Sequence, residues 1–177
     1  AIGPEPAIAQ LDFERAQGPE YQHLTEQIES RYGRLDGLVH NAGILGDRSP
    51  IEHYDIGKWQ RVMHVNVNAP FILTRCLLPL LKASADASLI FTTSGVGNRG
   101  RAYWGAYSVS KFATEGLAQI LADELERTSV RVNLINPGPT RTDMRAQAYP
   151  AEDPETLKRP EEILGPYFFL LGPDSKG

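Results

Sequence analysis

The sequence lacks the features that would place it in a membrane, at a metal or in an oxidising compartment. Its one cysteine, Cys76, excludes an internal disulfide and the paired-cysteine spacing of zinc sites. Its apolar stretches are interrupted by Pro70, Arg75, Pro79 and Lys82, so no transmembrane helix is predicted. The first residues contain neither the charged nor the apolar region of a signal peptide. We therefore expect a cytoplasmic protein with no metal site and no membrane partner.

The chain also lacks an excess of positive charge. Its 177 residues contain 18 Lys and Arg against 22 Asp and Glu, which gives a formal net charge of −4. Since the sequence has no basic run or stripe, nucleic acid is not an expected partner. With 41% apolar residues, the sequence can form one domain, residues 1–177, around a hydrophobic core.

Predicted strands and helices alternate along the chain. Short apolar runs bounded by turn residues predict strands at Ala7–Leu11, Leu35–His40, Ser88–Thr93 and Val130–Ile135. Apolar residues at helical spacing predict helices at about 21–33, 56–82, 103–127 and 160–171, the second of them kinked by Pro70. This alternation indicates an α/β fold with a parallel sheet.

Polar side chains follow three of the predicted strands. Asn41 comes after the second strand, Ser94 after the third, and Asn136 and Thr140 after the fourth. Because ligands bind at the carboxyl ends of strands in open parallel sheets, we expect these residues to lie at a ligand-binding edge.

The helix predicted at 103–127 carries a phenol and an amine on one face, at Tyr107 and Lys111. An ammonium beside a phenol favours the phenolate, so we expect a lowered pKa for Tyr107. A tyrosine with a lowered pKa can act as a general acid or base near neutral pH. The pair alone is a weak signal, because many helices carry such a pair by chance.

Taken together, five motifs of this sequence resemble the short-chain dehydrogenase/reductase family, in matching order and spacing. The motifs are Asn41-Ala-Gly43, Asn66, Ser94 thirteen residues before Tyr107, Tyr107-x-x-x-Lys111, and Pro137-Gly138 followed by Thr142. The resemblance runs from Asp12 to about Gly172, and segments 41–47 and 105–115 look like a bacterial subgroup of these oxidoreductases. It implies a Rossmann-type, doubly wound parallel sheet.

The resemblance implies a catalytic role for four residues. Tyr107 would be the general acid or base at a carbonyl or alcohol oxygen, and Lys111 would stabilise its phenolate. Ser94 would hold the same substrate oxygen. Asn66 would open its helix and hold a water that links Lys111 to solvent, with Asn68 as a rival. As alternatives, Tyr107 and Lys111 could be a surface pair without a role, and Ser94 could simply end a strand. Asn66 could be tolerated in its helix because Pro70 already disrupts it.

The resemblance also implies a nicotinamide coenzyme, NADP or NAD, with NADP slightly preferred. The residues that would bind it are Asp12, Asn41, Ala42, Gly43, Tyr107, Lys111, Pro137, Gly138 and Thr142. Gly43 permits close approach of the backbone to the ribose. For Asp12 a helix or turn cap is an alternative, and for Thr142 the N-cap of a following helix.

The predicted function is hydride transfer between NAD(P) and a small carbonyl or secondary alcohol substrate. Trp104, Met144 and Arg145 are weaker candidates for substrate contact. The alternatives are a non-catalytic dinucleotide-binding or interaction protein on the same fold and, less favoured, an epimerase or dehydratase. The resemblance further implies a homodimer or homotetramer that packs through helix 103–127 and the kinked helix before it.

The family's glycine-rich coenzyme motif has no counterpart in this sequence. Gly95-Val-Gly-Asn-Arg-Gly100 spells a dinucleotide fingerprint, but no acidic residue ends a following strand about 20 residues later. The Ala7–Leu11 strand corresponds to the family's third strand, so the sheet is predicted to be incomplete and this strand to lack a partner. We therefore expect residues 1–177 to be part of a longer chain and to bind coenzyme poorly alone.

Overall fold

Three parallel strands form the sheet of this protein in a computed structural model that describes residues 7–175. The strands are β1 (Gly37–His40), β2 (Ala87–Thr92) and β3 (Val130–Ile135), in the spatial order β1-β2-β3. In register, Leu38 lies beside Leu89 and Leu89 beside Val132. The predicted α/β fold with a parallel sheet is confirmed.

Six α-helices surround the sheet in the described part of the chain. They are α1 (Gly18–Tyr32), α2 (Ile56–Met63), α3 (Ala69–Lys82), α4 (Gly105–Glu124), α5 (Asp143–Ala148) and α6 (Gly165–Leu171). Helices α1, α3 and α4 fall within or close to their predicted ranges. Helix α5 was not predicted, because six residues are too few for a periodic apolar pattern.

Helices cover both faces of the sheet, as the doubly wound architecture requires. Alternate residues Leu89 and Phe91 of β2 are fully buried against Leu121 of α4 and Leu81 of α3. Helix α1 packs against α3 through the buried ring of Tyr21. Helix α6 lies on the opposite face, against β2 and β3.

The long helix predicted over 56–82 is interrupted, but not at Pro70. A π-helical segment at His64–Asn68 joins α2 to α3, and the amide of Ala69 hydrogen-bonds the carbonyl of His64 five residues earlier. Pro70 lies in the first turn of α3, where a missing amide proton costs little. The irregularity therefore belongs to the segment that contains Asn66, a type of segment often found at functional sites.

Two further predictions were wrong in detail. Residues 7–12 form no strand, because no neighbouring strand in the described chain accepts their hydrogen bonds, and Ile8 is 93% exposed. The last helix is not continuous from 160 to 171, since Pro160–Ile163 forms a 3₁₀ turn and α6 begins at Gly165. None of the helices described is both long and apolar enough to cross a membrane.

Candidate active site

Tyr107 lies in the first turn of α4, and its side chain belongs to a small apolar cluster. Leu45, Val96, Trp104 and Ala148 share this cluster, and Tyr107 is only 8% exposed. Burial raises the pKa of Tyr107 above its ordinary value of 10.0, and a hydrogen bond from Ser94 partly opposes the rise. The lowered pKa predicted from Lys111 is therefore wrong for this structure, because removal from water outweighs the nearby amine. At neutral pH Tyr107 holds its proton.

Lys111 lies one turn further along α4 and is also buried. Its Nζ donates to the carbonyl oxygen of Thr92 at 2.7 Å and lies 5.6 Å from the centre of the Tyr107 ring. Burial lowers the pKa of Lys111 from 10.5 to about 8. The predicted pairing of phenol and amine on one helix face is thus present.

Asn66 uses its buried side chain to connect three parts of the site. Its Oδ1 accepts from the amide of Ile44 at 2.8 Å, and its Nδ2 donates to the Ile44 carbonyl at 2.9 Å and to Ser110 Oγ at 3.0 Å. A β-carbon at Gly43 would lie 3.3 Å from Asn66 Oδ1 and 3.9 Å from Lys111 Nζ. Asn66 therefore fixes the turn after β1 against α4, next to Lys111.

Asn41 and Ala42 are exposed at the carboxyl end of β1. Asn41 Oδ1 accepts a hydrogen bond of 3.1 Å from the hydroxyl of Thr92, at the end of β2. The same hydroxyl lies 3.0 Å from the phenol oxygen of Tyr167 in α6. Through its carbonyl and its hydroxyl, Thr92 thus links Asn41 to Lys111, a role that the sequence analysis did not assign to it.

The remaining predicted coenzyme residues are less closely connected to Tyr107. Pro137 and Gly138 follow β3, where the Gly138 amide donates to Asn136 Oδ1 at 3.1 Å. Thr142 Oγ1 accepts from the Arg145 amide at 3.2 Å and so caps α5, which fits the alternative weighed for it. Asp12 does not end a strand. Instead it accepts from the Glu14 amide at 2.9 Å in a turn, so its coenzyme role stays a prediction without the strand that motivated it.

Trp104 lies between Tyr107 and a second aromatic ring, that of Tyr149. The centre of the Trp104 ring lies 5.8 Å from that of Tyr107 and 5.9 Å from that of Tyr149. Met144 packs against the same cluster. Arg145 lies over Tyr149 at 3.9 Å and forms two contacts of 2.6 Å with Glu152. Trp104 and Met144, weak candidates in the sequence, thus belong to or pack against the apolar cluster that contains Tyr107.

Two further residues near the site were missed by the sequence analysis. The Tyr54 hydroxyl accepts from the amide of Asp47 at 3.1 Å and from the amide of Ala106. Arg48 places its guanidinium over the Trp104 ring. Both residues precede α4 by about fifty positions, and no local pattern indicates a contact over that distance.

One groove in the described residues lies away from Tyr107. About 690 Å³ in volume, it is open and lies between residues 8–12 and α1, and of the predicted site residues only Asp12 lines it. Among the residues that the structure describes, no group of three or more His, Cys, Asp or Glu side chains could hold a metal ion. The candidate active site consists of the buried phenol of Tyr107, the hydroxyl of Ser94 and the amine of Lys111.

The fold agrees with what the comparisons find. Residues 3–153 match the family model described as short chain dehydrogenase, and the chain belongs to the short-chain dehydrogenase family. It is 52% identical to the oxidoreductase YciK of Escherichia coli strain K12 over 174 residues, which are 98% of this chain and 69% of YciK.

Two solved structures illustrate the similarity in three dimensions. A short-chain dehydrogenase from Pseudomonas syringae is 59% identical with a TM-score of 0.96, and the match covers 98% of this chain and 71% of that one. A short-chain dehydrogenase from Escherichia coli CFT073 complexed with NADPH is 55% identical with a TM-score of 0.91, covering 93% and 68%. Other curated dehydrogenases and reductases are 30–37% identical, and this chain spans 48–66% of their length.

Proposed function

We propose that this chain carries the proton-transfer site of an NAD(P)-dependent oxidoreductase that interconverts a carbonyl and a secondary alcohol. The observation that supports it most is the buried phenol of Tyr107, which accepts a hydrogen bond from Ser94 and lies beside the amine of Lys111. A buried phenol that keeps its proton is a suitable acid for a carbonyl oxygen that gains negative charge.

In this proposal each residue has one task. Tyr107 donates its proton to the carbonyl oxygen during reduction and takes it back during oxidation. Ser94 hydrogen-bonds the same oxygen and stabilises its developing charge. Lys111 replaces the lost proton or stabilises the phenolate, and Asn66 holds the turn that faces Lys111. The main chain of the π-helical segment around Asn66 would hold the water that connects Lys111 to solvent.

The residues present fit a nicotinamide coenzyme. At Gly43 the absence of a β-carbon leaves the backbone close to Asn66 and Lys111, and the exposed Asn41 and Ala42 precede it. We expect residues 41–43 to contact the adenosine ribose and Asp12 to contact the adenine. Tyr107 and Lys111 would contact the nicotinamide ribose. The nicotinamide itself would contact Pro137, Gly138 and Thr142. When bound, the coenzyme supplies the hydride. NADP(H) is the preferred form, which the NADPH complex of the Escherichia coli CFT073 relative supports.

The test uses the full-length protein and a panel of carbonyl compounds with NADPH. We expect loss of NADPH absorbance with at least one compound, a fall of about 100-fold or more in Tyr107→Phe, and a smaller fall in Ser94→Ala. Tyr103→Phe is the matched control, because it removes the same atom from an exposed ring. If Tyr107→Phe and wild type had equal rates, the proposed role of Tyr107 would be wrong, and a non-catalytic binding protein would gain support.

We also propose that the protein forms a homo-oligomer through α4 and works in the cytoplasm. Val109, Phe112 and Ile120 are 43–57% exposed, and their spacing along α4 places them in one stripe. Phe71 of α3 is 49% exposed. A second copy would remove these apolar side chains from water. The single cysteine is consistent with a reducing compartment.

A further inference from the structure

Arg48 is a cation beside the reactive tyrosine that the proposed proton chemistry does not use. Its guanidinium carbon lies 4.7 Å from the centre of the Trp104 ring and 5.1 Å from that of Tyr149. One nitrogen, Nη1, donates to the carbonyl oxygen of Ala148. Three contacts from two separate segments thus hold the head of an exposed side chain in one place.

The charge of Arg48 is not balanced by a carboxylate. Its neighbour Asp47 pairs with Lys58, and Arg145, which also lies over the Tyr149 ring, pairs with Glu152. Within residues 7–175, none of the ion pairs includes Arg48. A guanidinium has five donors in a planar fork that matches a carboxylate, so an arginine held in place without one is suited to bind an anion.

Arg48 lies close enough to Tyr107 for both residues to contact the same substrate molecule. Its guanidinium touches Trp104, and Trp104 packs against Tyr107, with ring centres 5.8 Å apart. Arg48 is therefore separated from Tyr107 by one aromatic ring, a distance that one small molecule can span. The protein as a whole carries a charge of −4, so only a local group could attract an anion to this site.

We infer that Arg48 binds an anionic group of the substrate, and that the substrate is a carbonyl compound with a carboxylate and an apolar or planar body between the two groups. The inference rests on the proposed function, since it takes Tyr107 as the place of the reacting carbonyl. Trp104, Tyr149 and Met144 supply the apolar wall for the body of such a molecule. Arg48 here determines specificity, and it does not take part in the proton transfer.

The test compares a keto acid with its methyl ester in the full-length protein with NADPH. The pair para-acetylbenzoate and methyl para-acetylbenzoate differs in charge at nearly constant shape, and levulinate with its methyl ester gives a shorter, aliphatic pair. We expect a higher kcat/KM for the acid than for the ester. Arg48→Gln should reduce that preference about 10-fold or more, mostly through KM, and leave the ester unchanged. Arg127→Gln removes the same charge just beyond the end of α4, which itself extends about 25 Å from Tyr107, and should change neither the preference for the acid nor the rate with the ester.

A second measurement does not depend on turnover. In a Trp59→Phe background, Trp104 is the remaining tryptophan of residues 1–177, and its fluorescence reports on ligands that reach Arg48. We expect para-acetylbenzoate to bind with a Kd that Arg48→Gln weakens about 10-fold, whereas the ester should bind equally to both proteins. The inference would be overturned if wild type had the same kcat/KM and Kd for acid and ester. It would also be overturned if Arg48→Gln weakened the binding and turnover of both compounds equally. Arg48-dependent binding without reduction of any carbonyl would instead contradict the proposed function and leave the anion site standing.

Discussion

At the scale of single residues, burial determines the protonation of the site and of the core. Tyr107 and Lys111 are both removed from water, and each is shifted toward its neutral form: the pKa of the phenol is raised and that of the amine falls to about 8. A third buried group, His40, stacks on Phe91 with ring centres 4.7 Å apart and contacts Thr74 Oγ1 at 2.8 Å. Such groups make stability depend on pH in directions that can be worked out.

For His40 the expected dependence lies on the acid side. Burial lowers the pKa of His40 from 6.5 to about 4. Between these values the unfolded chain binds a proton that the folded protein does not, so stability is complete above pH 6.5 and decreases as the pH falls toward 4. The loss should approach ~3 kcal/mol. Urea unfolding at pH 7, 6 and 5 should show a weaker pH dependence in His40→Gln, while the exposed His23→Gln behaves as wild type. Equal slopes for His40→Gln and wild type would contradict this prediction.

For Lys111 the expected dependence lies on the basic side. The unfolded chain keeps the proton of this lysine up to about pH 10.5, and the folded protein releases it near pH 8. The cost of burying the ammonium is therefore fully present below pH 8 and disappears as the pH rises to 10.5. The difference in unfolding free energy between Lys111→Met and wild type should shift by roughly 2–3 kcal/mol in favour of wild type from pH 7 to pH 10. Denaturant titrations of the coenzyme-free protein measure this difference, and a constant value would be inconsistent with a buried ammonium.

At the scale of elements, the site depends on how the turn after β1 is attached to the helices. Asn66 in the π-helical segment holds Ile44 and Ser110. Tyr54 makes a second attachment, since its hydroxyl accepts from Asp47 in the loop and from Ala106 at the start of α4. Its ring leaves no room for a side chain at Gly46, where φ is +69° and a β-carbon would lie 2.5 Å from the phenol oxygen.

Removal of the Tyr54 hydroxyl should loosen this attachment. In Tyr54→Phe the two amides lose their acceptor, and we expect a loss of about 1–2 kcal/mol of stability. Because the loop and the start of α4 both border Tyr107, turnover should fall while coenzyme affinity stays near that of wild type. Tyr32→Phe, which removes a hydroxyl from a ring that is 57% exposed, is the control. If the two variants were equally stable and active, Tyr54 would have no positioning role.

At the scale of the whole molecule, the parallel strands and the proximity of Tyr107 to Lys111 could be predicted from the sequence. The effects of burial and of long-range contacts could not. Strand β3 was predicted correctly because its apolar residues stand between clear turn signals. Ala7–Leu11 was not a strand, since an apolar run becomes one only beside a partner. Burial of Tyr107 reversed the expected direction of its pKa shift, and only the folded chain reveals that burial. The position of Arg48 depends on a contact with Trp104 that no short-range pattern encodes.

The exposed stripe of α4 gives a prediction at the same scale. If a second copy covers Phe112, light scattering with size-exclusion chromatography should find a dimer or tetramer for the full-length protein. Phe112→Glu should shift the population to monomer, because a charge would have to be buried at the contact. Gln27→Glu adds the same charge to an exposed position of α1, away from the stripe, and serves as the control. A monomeric wild type would show that α4 is not an interface.

The central claim is that Tyr107 supplies the proton for reduction of a carbonyl. The most direct measurement is the single-turnover rate of deuterium transfer from labelled NADPH to the carbonyl carbon of a compound that the full-length protein reduces. Coenzyme affinity is measured in parallel by NADPH fluorescence. We predict that Tyr107→Phe binds NADPH within a few-fold of wild type and transfers deuterium about 100-fold more slowly or worse. Transfer at the wild-type rate in Tyr107→Phe would contradict the account.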